Sequence, residues 1–161
     1  MQRGREGGFT LIELMVTMVI ASIVMSIGIF GFANWQNLSE QQGTAQSLVS
    51  ALRTAAERSV SEGRTYCVDF AGSPAQSYTV YQHSCSTGTV AAGGAKTESP
   101  KVSMAPTVAA PPPDQVCPAS HECIYFYPRG TASPATVNVT STARSNVYTI
   151  HVEGLTARVW M

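Results

Sequence analysis

The chain has 161 residues, enough for one domain and not comfortably for two. Charged residues make up 12% of it and the formal net charge is zero. That balance excludes the broad basic footprint of a chain built around nucleic-acid binding. The charges are unevenly spread, and Glu13 is the only ionisable side chain between Phe9 and Ala33.

Met1–Gly8 is a short polar stretch carrying Arg3 and Arg5. An almost unbroken apolar run follows from Phe9 to Ala33. A helix needs about 20 such residues to cross a bilayer, and the basic residues ahead of the run orient the N-terminus toward the cytoplasm. A cleaved secretory signal would have a shorter apolar core and a small-residue cleavage site after it. Here the sequence continues as helix instead. Leu38, Ala45, Leu48, Val49, Leu52, Ala55, Ala56 and Val60 recur at steps of three and four and mark one apolar face. Arg53 with Glu57, and Arg58 with Glu62, are i,i+4 pairs for the wet side. With no proline before Pro74, the pattern predicts one helix from about Thr10 to about Glu62, stopped by Gly63.

Short runs rich in β-branched and aromatic residues come next, at Thr65–Phe70, Tyr78–His83, Cys123–Tyr127, Ala135–Val139, Val147–Val152 and Ala157–Trp160. Turn-forming residues separate them, so they read as strands. The fold class is α+β, a long N-terminal helix packed on an antiparallel, β-sandwich-like domain. The chain divides into a leader at 1–8, a membrane and filament-core helix at 9–33, an amphipathic helix at 34–63 and an exported β-rich domain at 64–161. Positions 86–115, full of Gly, Ala, Pro, Ser and Thr, read as a flexible loop with at most one strand, near Lys101–Met104.

Cys67, Cys85, Cys117 and Cys123 all lie beyond the apolar run. An even count in such a domain suits two disulfides in an oxidising compartment. Four cysteines permit three pairings; short loop closure favours Cys67–Cys85 with Cys117–Cys123. The rival is a metal site with His83 and His121, but the usual paired zinc spacings are missing, so neither metal nor cofactor is expected. His83, His121 and His151 lie far apart in sequence and no nucleophile elbow accompanies them. No catalytic residues are assigned, and an enzyme is not expected.

The most specific string is Gly8-Phe9-Thr10-Leu11-Ile12-Glu13-Leu14-Met15-Val16. It resembles the processing signal of type IV prepilins and type II secretion pseudopilins. The resemblance implies cleavage between Gly8 and Phe9 by a prepilin peptidase and N-methylation of Phe9. It also implies passage from the inner membrane, through an assembly platform, into a filament of other pilins or pseudopilins. Glu13 then has a role. A carboxylate at the centre of a membrane helix costs about 2.5–3.5 kcal/mol by insertion scales, and pairing with the Phe9 amine of a neighbouring subunit offsets that cost.

Beyond the N-terminus, the pattern of Ala51–Arg58, the Phe126-x-Pro128-x-Gly130 string and the final hairpin resemble GspH/FimT-like minor pilins. Some of that group bind DNA through a basic Gly-Arg-x-Arg tip. Here Gly154-Leu155-Thr156-Ala157-Arg158 stands in its place. Arg129, Arg144 and Arg158 are the arginines after Arg64 and the candidate DNA contacts. Losing Arg3, Arg5 and Glu6 with the leader leaves the mature chain one unit negative, so only weak, salt-sensitive DNA binding is expected.

Overall fold

Thr10 starts the long helix α1, Leu11–Ser61. Its hydroxyl accepts the Glu13 N–H at 3.3 Å, the N-cap bond that satisfies one of a helix's unpaired first-turn donors. Gly63 ends the helix at φ 64°, where the Arg64 N–H reaches back to the Ser59 carbonyl at 3.2 Å. This left-handed stop is the one a glycine takes without a Cβ penalty. The computed structural model describes residues 9–109, 117–118, 120–142 and 144–161, without the side chains at 27–34, 37, 92–93 and 144. It separates into one unit ending at Leu38 and a second, Ser39–Met161.

From Leu11 to Ser26 the helix is apolar on nearly every side, Glu13 apart. Among the described residues no helix is long and apolar enough to cross a membrane. The expected 9–33 span extends beyond Ser26 into side chains outside the described set, and positions 11–26 alone fall short of the about 20 residues a bilayer needs.

The second unit sets the rest of α1 against two antiparallel sheets. The strands are β1 Tyr66–Ala71, β2 Ser77–Gln82, β3 Thr89–Thr97, β4 Val102–Val108, β5 His121–Tyr127, β6 Thr131–Ala132, β7 Ala135–Ser141, β8 Arg144–Val152 and β9 Val159–Trp160. One sheet has the order β3-β2-β1-β5-β6, the other β4-β7-β8-β9. Ala45, Leu48, Val49, Leu52 and Ala55 of the helix join Val68, Phe70, Ile124 and Phe126 of the first sheet and Met104, Val137, Val139 and Ile150 of the second in one core. Leu48 and Leu52 are fully buried, and each such side chain contributes about 1.5–3 kcal/mol. β7 shows the alternation that a half-buried strand requires, with Ala135, Val137 and Val139 inward.

Two expectations need correction. The segment 86–115 is not a loop over most of its length, because it holds both β3 and β4; positions 110–115 lie outside the described residues. Both strands are sheet edges, where weak β-formers are tolerated. Pro106, lacking an N–H, fits in β4 because an edge strand needs no second ladder. Gly94 fits in β3 because a Cβ there would lie 2.7 Å from the Val80 carbonyl. The second correction is Val60, which is 55% exposed. In the last helical turn the inward position belongs to Ser59, whose hydroxyl donates to Ala56 O at 2.7 Å and to Tyr127 O at 3.2 Å.

Candidate filament-assembly site

The first unit carries the candidate assembly surface. Phe9 is 82% exposed, and Leu11, Ile12, Met15, Met18 and Ile23 are all more than half exposed. A helix apolar on all sides belongs in lipid or inside an assembly. Its hydroxyls agree with that surrounding. Thr17 donates to Leu14 O at 2.9 Å, Ser22 to Met18 O at 2.8 Å and Ser26 to Ser22 O at 2.8 Å. Each hydroxyl satisfies itself on its own backbone, as an apolar medium demands. Glu13 is the exception. It sits in the first turn, where the helix dipole favours an acid, and its carboxylate finds no partner among the described residues. Gly8 and the rest of the leader lie outside them.

The three candidate DNA-contact arginines do not form one patch. Arg129 lies in the turn between β5 and β6, and Arg158 immediately precedes β9; both are exposed. Their neighbours Gly130 and Ala157 line one shallow depression with Ala56, Glu57 and Val60 of the helix. Arg144 opens β8, at the hairpin with Ser141. Its side chain lies outside the described set. Val152, at the other end of β8, pairs with Val159 beside Arg158. Because β8 is bulged, β7 covers the same span in six steps, from Ser141 to Ala135; at about 3.3 Å each they put Arg144 and Arg158 roughly 20 Å apart along the strand. Arg53, expected to face Glu57, donates instead to the Val159 carbonyl at 2.9 Å from Nη2, occupying a carbonyl of β9.

The four cysteines converge. Their Sγ atoms lie within 4.8 Å of one another, on the face of the five-stranded sheet that points away from the helix. Cys67 and Cys123 are buried there with Tyr125, while Cys85 and Cys117 pack over them half-buried. The Cys117 sulfur contacts both Cys85 and Cys123, and Cys67 belongs to neither contact. Burial, and after it the Asp69 charge, pushes the Cys67 thiol above its ordinary range. Burial likewise pushes the Tyr125 phenol up. His83 and His121 do not join the sulfurs in a metal-holding group among the described residues; the His121 Nδ1 pairs with the buried Asp69 carboxylate at 2.8 Å.

Sequence reasoning missed Gln41. It is fully buried on α1, and its Nε2 donates to Asn146 O at 2.7 Å and Val139 O at 3.1 Å. The register of β7 and β8 slips between Thr140 and Ser141, so Asn146 sits in a bulge, and Gln41 supplies a donor to its carbonyl. The available signal was a glutamine falling four residues before Ala45 on the apolar face.

A self-satisfied apolar helix with one carboxylate, set ahead of a helix-on-two-sheets domain, defines the pilin-like class. Residues 3–29 match the prokaryotic N-terminal methylation motif, and residues 44–156 match the type II transport protein GspH family. The chain belongs to the GspH family, and with its methylation motif it is a minor pilin or minor pseudopilin. Its fold is similar to that of the minor pseudopilin EpsH from the type II secretion system of Vibrio cholerae. The two are 14% identical with a TM-score of 0.58, covering 76% of this chain and 92% of that one. It is also similar to the type IV minor pilin FimU of Pseudomonas aeruginosa, at 14% identity and a TM-score of 0.55, covering 79% and 91% respectively. No curated protein sequence matches the chain.

Proposed function

We propose that the chain is cut between Gly8 and Phe9 by a prepilin peptidase and methylated on Phe9. It then waits in the inner membrane with its N-terminus cytoplasmic and enters a type IV pilus or type II secretion pseudopilus through the assembly platform. Other pilins or pseudopilins cover the apolar helix there, and the Glu13 carboxylate takes the Phe9 amine of a neighbour. Its role is structural, without catalysis. The observation that carries the reading is the exposed apolar helix with self-satisfied hydroxyls and a single carboxylate lacking a partner among the described residues. Mass spectrometry of protein from the native host should find a methylated N-terminus at Phe9. Glu13→Ala should insert into membrane normally, because it removes a charge that is costly in lipid, yet be depleted from sheared filaments. An intact Met1 in filament-forming cells, or full incorporation of Glu13→Ala, counts against the proposal.

A further inference from the structure

The sulfur cluster carries a second conclusion, independent of filament assembly. A cysteine sulfur forms one disulfide, yet Cys117 contacts two sulfurs. Its partner is therefore Cys85 or Cys123, and the choice fixes the other bridge. Pairing Cys117 with Cys123 leaves Cys67 with Cys85, the short-loop solution. Pairing Cys117 with Cys85 leaves Cys67 with Cys123.

Of the two contacts that Cys117 makes, the backbone favours the one with Cys85. The Cα atoms of Cys85 and Cys117 are 5.7 Å apart, inside the usual disulfide range of roughly 4.4–6.8 Å. Those of Cys117 and Cys123 are 7.0 Å apart, beyond it. Cys67 and Cys123 stand on paired strands and on the same face. Cys67 lies opposite Tyr125 and Cys123 opposite Asp69, so the two are diagonal neighbours across one ladder, roughly 7–8 Å apart, with their sulfurs inside the 4.8 Å cluster; once Cys85 holds Cys117, Cys123 is the sulfur left to Cys67. Burial sorts the cysteines the same way, because the inner two are buried and the outer two half-buried. We propose that the oxidised protein carries the crossed bridges Cys85–Cys117 and Cys67–Cys123. The outer bridge ties the 83–88 connection to the segment leading into β5. The inner bridge ties β1 to β5 beneath it.

The surroundings suit disulfides better than a thiolate–metal centre. The Cys123 sulfur lies 3.3 Å from a carboxylate oxygen of Asp69, whose negative charge opposes thiolate formation. A metal ligand must be a thiolate. Each bridge forms as two thiols release two protons and two electrons. A disulfide oxidant accepts them and leaves as two thiols.

The test uses the full-length protein in detergent, reduced, then reoxidised with glutathione disulfide, acid-quenched and alkylated. Trypsin cuts after Arg64, Lys96, Lys101 and Arg129, so Cys67 and Cys85 share one peptide and Cys117 and Cys123 share another. Crossed bridges join the two peptides; short-loop bridges leave them separate and overturn the proposal. Further cleavage at Glu122 and at Phe70, Tyr78 or Tyr81 then resolves the partners. Cys67–Cys117 with Cys85–Cys123 would also overturn it, as would four alkylatable thiols or a zinc ion that blocks oxidation. The Cys85→Ser/Cys117→Ser double variant should keep the Cys67–Cys123 link at wild-type yield, and losing that link refutes the pairing. In the wild type a small thiol reductant should open the half-buried outer bridge at least about tenfold faster than the buried inner one. Equal rates count against the assignment. Because oxidation is done in vitro, the outcome does not depend on export or filament assembly.

Discussion

Replacing Gln41 tests whether one buried amide locks the helix to the β7–β8 hairpin. Its Nε2 serves two backbone carbonyls, while its Oε1 is buried without a partner. Gln41→Leu removes both hydrogen bonds, each worth about 0.5–1.5 kcal/mol net. It also removes the unsatisfied Oε1, which offsets part of the loss. The net cost should be about 1–2 kcal/mol. Gln41→Glu is the harsher change, because it aims a carboxylate at two carbonyl oxygens with no donor at hand. An uncompensated buried charge costs about 3–5 kcal/mol. For a unit of about 120 residues, 1 kcal/mol corresponds to roughly 4 °C in Tm. The expected losses are therefore about 4–8 °C for Gln41→Leu and 12–20 °C for Gln41→Glu at pH 7.

Acidity gives the second half of this test. The new carboxyl would have a folded-state pKa raised above its unfolded value, so the folded state binds more protons through that interval. Stability then falls as pH rises, and the deficit of Gln41→Glu should shrink as pH drops toward the ordinary carboxylate range. Protonated, it donates one hydrogen bond to a carbonyl. Thermal unfolding of full-length protein in nonionic detergent, followed by near-UV circular dichroism, reads both effects. If Gln41→Glu is no less stable than Gln41→Leu at pH 7, or its deficit does not change with pH, the clamp is not as described.

Leu52→Ala empties a fully buried site at the helix–sheet contact and should cost about 2.7–5 kcal/mol in urea unfolding; a loss under 1 kcal/mol would show that the core does not close there. The Tyr66 hydroxyl donates to Glu62 at 2.7 Å, and burial first, then that hydrogen bond, raises its pKa. The unfolded chain therefore loses this proton first as pH rises, and the Tyr66 contribution is lost between its unfolded value near 10 and the raised folded one. Tyr66→Phe should cost about 1 kcal/mol at neutral pH and flatten the alkaline limb of the stability profile, and an unchanged limb would count against it.

The helix and most strands were legible in sequence because their signals are local. The N-terminal motif, the three- and four-residue steps through Leu48, Leu52 and Ala55, the Gly63 stop and the alternation in β7 each lie within a few residues of chain. The edge strand β3 was not legible, and β4 only in part, near Lys101–Met104. Gly94 and Pro106 argue locally against strand, and only their positions at sheet edges, or against the Val80 carbonyl, make strand the better state. Arg129, Arg144 and Arg158 were grouped as the arginines after Arg64, but the length of β8 sets Arg144 and Arg158 far apart. The cysteines were read as two local pairs; only the pairing of β1 with β5 shows that all four sulfurs meet in one cluster with Cys67 and Cys123 buried. The place of Gln41 on the apolar face was visible four residues before Ala45, but its partners Val139 and Asn146, about a hundred residues away, were not. The sequence alone therefore determined which segments are helix, which runs favour strand and where the N-terminal methylation motif lies. Tertiary structure decided which polar atoms are buried, because a buried donor needs an acceptor and here the distant β7–β8 hairpin provides it.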